Sequence, residues 1–252
     1  MLILFLCTFS LLAGFIDSVV GGGGLIQLPA MLILLPGLPI ATVLGTNKFA
    51  SCAGTTIAVR RYAQHVRFDW PIILPAAITA FVFSFLGSRT VALLNTAFMR
   101  PVVLVLLVVV AIYVFFVKDL GIIHQPKHPP ARARWLGVII GAALGFYDGF
   151  FGPGTGSFLI FLFVGVFGFD FLAASASSKV INLATNLASV LYFGWTGHII
   201  YAYAAPMALC SVLGATIGAH LAIAKGSRFV RIFFLVIVCA LIAKLAQSII
   251  AS

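Results

Sequence analysis

The chain has 252 residues, 63% of them hydrophobic and 8% charged, with a mean hydropathy of +1.21. A water-soluble domain with a charged surface cannot be built from that composition. Fifteen Lys and Arg against five Asp and no Glu give a net charge of +10, yet most of the basic residues sit in short loops between apolar runs. That pattern marks cytoplasmic loops and contact with anionic lipid, so no nucleic-acid partner is expected.

Taken in chain order, the runs predict ten helical segments at about 1–20, 25–38, 40–60, 71–93, 99–118, 135–152, 156–169, 173–195, 199–224 and 229–250. At about 20 residues per crossing this is an all-α, polytopic transmembrane helical bundle. The first run lacks a basic flank and a cleavage site and reads as a retained helix. The second and seventh are short: 14 residues reach about 21 Å against a hydrocarbon layer of about 30 Å. These two are expected to stop inside the membrane or dip into it. Between Lys118 and Arg134, prolines 126, 129 and 130 and four basic residues predict a helix-free linker in water. The expected organisation is a repeat at 1–118, a cytoplasmic linker at 119–134 and a second repeat at 135–252.

The repeat is legible in rare residues. With a constant offset of 131, Gly14, Phe15, Asp17, Gly21 and Gly23 fall on Gly145, Phe146, Asp148, Gly152 and Gly154, Lys48 falls on Lys179, and Arg100 on Arg231. One ungapped register for acids and intramembrane lysines argues for duplication. Five crossings per half would place ten loop Lys and Arg on one face against Arg89 and Arg100 on the other. Four crossings would split the same charges almost evenly, so an odd count, and therefore inverted repeats with both termini outside, is expected. Trp70 and Trp135 would then anchor the inner face and Trp195 the outer.

Two glycine-rich breaks follow the two acids, at Gly14–Gly24 and Gly145–Gly156. Runs of glycine cannot sustain a helix, and non-helical backbone at membrane depth is tolerated only against protein or a wet cavity. Short helices starting near Leu25 and Ser157 would aim their positive ends into that cavity, with Gly22, Gly23, Gly154 and Thr155 at the breaks. Single glycines more often serve close packing; two symmetric clusters after an acid favour a cavity.

Lys48 and Lys179 lie well inside apolar segments, and an unpaired ammonium there is costly. Each needs a counter-ion, Asp17 or Asp148, or a ligand, and both hold if partners exchange when an anion enters. Thr46, Asn47, Ser178, Asn182 and Asn186 flank the lysines as neutral donors, with Thr55 matching Asn186 by the offset; Gln27 and Ser157 could add others. Asp17 and Asp148 are the acids within apolar segments, as proton carriers or counter-ions. Cys7, Cys52, Cys210 and Cys239 and the five histidines show no metal-ligand spacing, so neither metal nor cofactor is expected.

These motifs, Gly14-Phe-Ile-Asp17-Ser with Gly21–Gly24, Gly45-Thr-Asn-Lys48, Gly145-Phe-Tyr-Asp-Gly-Phe-Phe-Gly-Pro153 and Ser178-Lys179-Val-Ile-Asn182-Leu-Ala-Thr-Asn186, resemble those of the sulfite exporter TauE/SafE family, in particular its YfcA-like branch. The resemblance covers nearly the whole chain. It implies a bacterial inner-membrane carrier, not an enzyme, exporting small anions such as sulfite, organosulfonates or related sulfur compounds by alternating access. The partners expected are a small anionic solute and membrane lipid, with a homodimer admitted. Two rivals use the same residues: an anion channel, and an intramembrane aspartyl protease built on Asp17 and Asp148. The protease lacks the Gly-x-Gly-Asp half of its signature, because Asp17 follows Gly14-Phe15-Ile16.

Overall fold

A computed structural model describes residues 1–94 and 128–250. Its elements are α1 (Leu2–Val20), α2 (Gly24–Leu34), α3 (Ile40–Ala63), α4 (Trp70–Leu93), α5 (Pro130–Phe150), α6 (Thr155–Leu162) with a π-helical turn at Phe163–Phe167, α7 (Phe171–Trp195) and α8 (Tyr201–Ile250). The described residues form an all-α bundle. The predicted segment at 99–118 and most of the linker lie outside them. Two expectations change. Helix α5 begins inside the predicted linker, because Pro130 sits in the first turn, where proline's missing N–H costs nothing. The predicted ninth and tenth segments run on as α8, interrupted at Gly226, whose φ of 70° and ψ of −169° are not helical.

Helices α1, α4 and the stretch Tyr201–Val230 of α8 are each long and apolar enough to cross a membrane. Their outward faces carry the large apolar side chains: Leu74, Ile78 and Val82 on α4, and Leu209, Leu213 and Ile217 on α8, are exposed at four-residue spacing. The inward faces carry small residues, such as Ala76, Ala80, Ser84, Gly87 and Ser88 on α4. That is the arrangement expected where lipid is the solvent and close backbone approach drives packing.

Helix α2 does not continue α1. Gln27 Nε2 donates to Ser10 Oγ at 3.2 Å, and a Cβ on Gly23 would fall 2.4 Å from the Ala13 carbonyl oxygen. The short helix therefore folds back antiparallel along α1. Gly21 makes the turn possible with a φ of 77°.

The two halves pack by exchange, in the same register as the sequence repeat. Helix α1 lies along α8, with Gly14 against Ser211 and Gly218 against Phe15. Helix α5 lies along α4, with Gly145 against Ala80 and Gly87 against Phe146. Each pair is the other shifted by 131, so the halves are related by a pseudo-two-fold axis. Helices α3 and α7 run antiparallel across it: Gly45 meets Phe193, Asn186 Nδ2 donates to Thr55 Oγ1 at 3.4 Å, and the Tyr62 hydroxyl lies 3.4 Å from Ser175 Oγ. Thr55 and Asn186 are repeat equivalents bonded to each other, which places them at the axis. Equivalent antiparallel helices require an axis perpendicular to their length, and for spanning helices that is the inverted relation.

The packing register also sorts the ends. Trp70 and Trp135 lie at one end of the parallel α4–α5 pair, and Trp195 lies at the opposite end of α7; all three are exposed. The core splits the same way. One apolar cluster contains Tyr62, Ile73, Ala133, Phe163, Phe167, Phe169 and Ala222. The other contains Leu6, Met31, Ile40, Val91, Phe193 and Met207. Helix α2 contributes Leu28 and Met31 to the second cluster and α6 contributes Leu159 and Ile160 to the first, so the two short helices extend toward opposite clusters.

Candidate functional site

Between the two apolar clusters lies a polar layer built from four charged side chains. Lys48 on α3 places its Nζ 2.5 Å from Oδ2 of Asp148 on α5, and the two side chains are 4% and 6% exposed. Lys179 on α7 places its Nζ 3.1 Å from Oδ2 of Asp17 on α1, with exposures of 0% and 23%. Each lysine thus binds the acid of the opposite half. Under the offset of 131 one pair is the image of the other, although their surroundings differ. A charge at such burial survives only if paired and hydrogen-bonded, so the two-fold exchange of helices is what makes the four charges tolerable.

The hairpin tips close the layer. Gly21 and Gly156 pass so near that a Cβ on Gly156 would fall 2.5 Å from the Gly21 Cα. Ser157 Oγ donates to the Val20 carbonyl at 2.9 Å and Ser175 Oγ to the Val19 carbonyl at 2.8 Å, so the last carbonyls of α1 are held by the other half.

A cavity of about 30 Å³ sits at this crossing, lined by Asp17, Lys48, Asp148, Asn47, Asn182 and Asn186 together with Ser51 and Gly21, Gly24, Gly152 and Gly156. That volume holds about two water molecules. A second, smaller cavity of about 10 Å³ is lined by Asp17, Gly23, Gly24, Gln27, Ser51, Thr55 and Ser211. Asp17 borders both. The side-chain oxygens of Asn47 and Asn182 are buried without a hydrogen-bond partner, an unusual cost in a closed interior.

Several candidate residues are placed elsewhere. Thr46 Oγ1 donates to the Thr42 carbonyl and accepts the Ile200 amide, tying α3 to the start of α8. Ser178 Oγ donates to the Ser175 carbonyl, and Thr155 Oγ1 donates to the Gly152 carbonyl. These hydroxyls are used by nearby backbone, as short polar side chains in helices often are. Gly22, Gly154 and Lys179 do not line the main cavity; Lys179 stands behind Asp17. The amides of Leu25, Ile26 and Gln27 bond to Gly22 and Gly23 carbonyls, so the end of α2 offers its dipole more than these N–H groups. Ser51 was missed in the sequence. It is the repeat equivalent of Asn182, so the offset of 131 could have found it. Among the described residues, no cluster of three or more metal-ligating side chains occurs.

A helical bundle with outward apolar faces and ion pairs between two apolar clusters is the build of a multi-pass membrane protein, and the comparisons with known proteins place it among transporters. The chain matches the family model described as Sulfite exporter TauE/SafE over residues 6–245, and it belongs to that family. It is 35% identical over 223 residues to the Haemophilus influenzae "Probable membrane transporter protein", covering 87% of this chain and 84% of the relative. It is 33% identical over 244 residues to the "Probable membrane transporter protein ORF9" of Sinorhizobium sp, covering 97% and 92%. With the Escherichia coli (strain K12) "Probable membrane transporter protein YfcA" it shares 31% over 236 residues, covering 94% and 86%. No solved structure matches it significantly.

Proposed function

We propose that this transporter is a secondary carrier in the bacterial inner membrane that exports small anions, of the sulfite, organosulfonate or related sulfur class, by alternating access. The observation that carries the reading is the pair of buried lysines, one from each half, each held by the opposite half's acid in one polar layer between two apolar clusters, with Lys48 and both acids lining its cavity. Such a layer offers an anion two ammonium groups and three asparagine amides. It is closed at both ends by side chains that rocking of the halves would part. The cavity is lined by both carboxylates as well as Lys48, and these repel an anion, so in this reading binding makes a lysine change partners. The family's name points to the same substrate class.

The protease rival needs two carboxylates that share a proton, and here each is hydrogen-bonded to a lysine instead. The channel rival is separated by counterflow, which only a carrier performs. In proteoliposomes loaded with unlabelled anion, labelled sulfite, thiosulfate, sulfoacetate, taurine or sulfate is added outside. At least one is expected to overshoot transiently, and Lys48→Ala and Lys179→Ala each to abolish that overshoot while the protein stays monodisperse. If both variants keep normal affinity and rate, the site assignment fails.

A further inference from the structure

The four central charges sum to zero, and this neutrality constrains what can travel with the anion. A monoanion entering beside Lys48 and Lys179 while both carboxylates stay ionised would leave one net negative charge in a closed, low-dielectric layer, at large cost. Neutrality returns if one carboxylate is protonated as the anion binds. The incoming anion then takes that carboxylate's place on its lysine.

The two acids are not equally placed for this. Asp148 is 6% exposed, 2.5 Å from Lys48, and borders the main cavity but not the second. Asp17 is 23% exposed, 3.1 Å from Lys179, and borders both cavities. The groups that face Asp17 are Lys179 from α7, Lys48 and the Tyr62 phenol from α3, and Asp148 from α5. From α2 and α8, Gln27 and Ser211 share its second cavity and carry no charge. It is the more exposed of the two acids and the one that borders both cavities.

Resting on the carrier reading above, we infer that Asp17 is the exchangeable counter-ion. It takes up one proton as it releases Lys179 to the anion, so that each negative charge of substrate crosses with one proton. The step balances: a carboxylate and a proton give the neutral acid, Lys179 stays an ammonium, and the anion replaces Asp17 as its partner.

The test uses methanesulfonate, a monoanion at every working pH, in proteoliposomes with pH and potassium–valinomycin potentials imposed separately. Coupling of one proton per anion predicts about tenfold accumulation on the alkaline side per pH unit. It also predicts no response to a potential of about 60 mV, which would move an uncompensated charge by the same factor of ten. In Asp17→Asn the pH-driven ratio should fall to one, whatever the residual rate, and the potential should take over; Asp148→Asn, if active, should keep the pH response. Wild-type flux that follows the potential and ignores pH overturns the inference without any variant, as does a pH-driven ratio retained in Asp17→Asn. Wild-type protein that shows no counterflow with any anion overturns the carrier reading itself, a result distinguishable from both.

Discussion

Removing one member of the Lys48–Asp148 pair should damage the protein more than removing both. The side chains are 4% and 6% exposed and 2.5 Å apart. Lys48→Met strands a carboxylate, and Asp148→Leu an ammonium, where water hardly reaches. Breaking a buried pair in this way costs about 3–5 kcal/mol, whereas replacing both partners by apolar groups of similar volume is often neutral. At about 2–4 °C per kcal/mol for a chain of this size, each single variant should melt about 6–20 °C below the parent in detergent. The double variant Lys48→Met/Asp148→Leu should recover most of that loss. The assay is thermal unfolding followed by fluorescence-detected size exclusion, run as a double-mutant cycle. Additive losses, or a Lys48→Met variant as stable as the parent, would refute the claim that this pair is buried away from bulk water and held together by its own contact. The same cycle at Lys179 and Asp17 should show a smaller penalty for Lys179→Met, about 1–3 kcal/mol, because the stranded Asp17 is 23% exposed and can hydrate.

Two further outcomes test the fold around the site. Gly156→Ala would drive a methyl to 2.5 Å from the Gly21 Cα and 2.7 Å from its carbonyl oxygen, both rigid backbone. It should cost about 1–3 kcal/mol or prevent folding, while Gly22→Ala, whose nearest neighbour is Ser157 Oγ at 3.6 Å, should be tolerated; equal melting temperatures for the two would contradict the crossing of the hairpin tips. Asp170 caps α7 by accepting the Leu172 and Ala173 amides and the Ser227 hydroxyl, so Asp170→Ala should lower stability by about 1–2 kcal/mol and Asp170→Asn by less, measured by the same melt.

The amino-acid sequence alone determined the medium, the fold class and the duplication. Apolar runs of membrane length admit only helices, and the shared spacing of Asp17, Lys48 and their equivalents could be read without coordinates. That the second and seventh segments form helices too short to cross could also be read from their length. The position of a cap did not follow: Pro130 looked like a helix breaker and is a helix starter, because the same ring serves either role according to the turn it occupies.

Only the tertiary structure decided the pairing. The offset of 131 says that Lys48 and Lys179 are equivalents, but not that each takes the opposite half's acid, since that depends on α1 and α5 crossing to the far half. Nor could spacing tell which hydroxyls remain available. Thr46, Ser178 and Thr155 are spent on local backbone, while Ser51 faces the cavity, a distinction set by helix rotation against neighbours. The difference in exposure between Asp17 and Asp148 likewise appears only once the helices are packed around them.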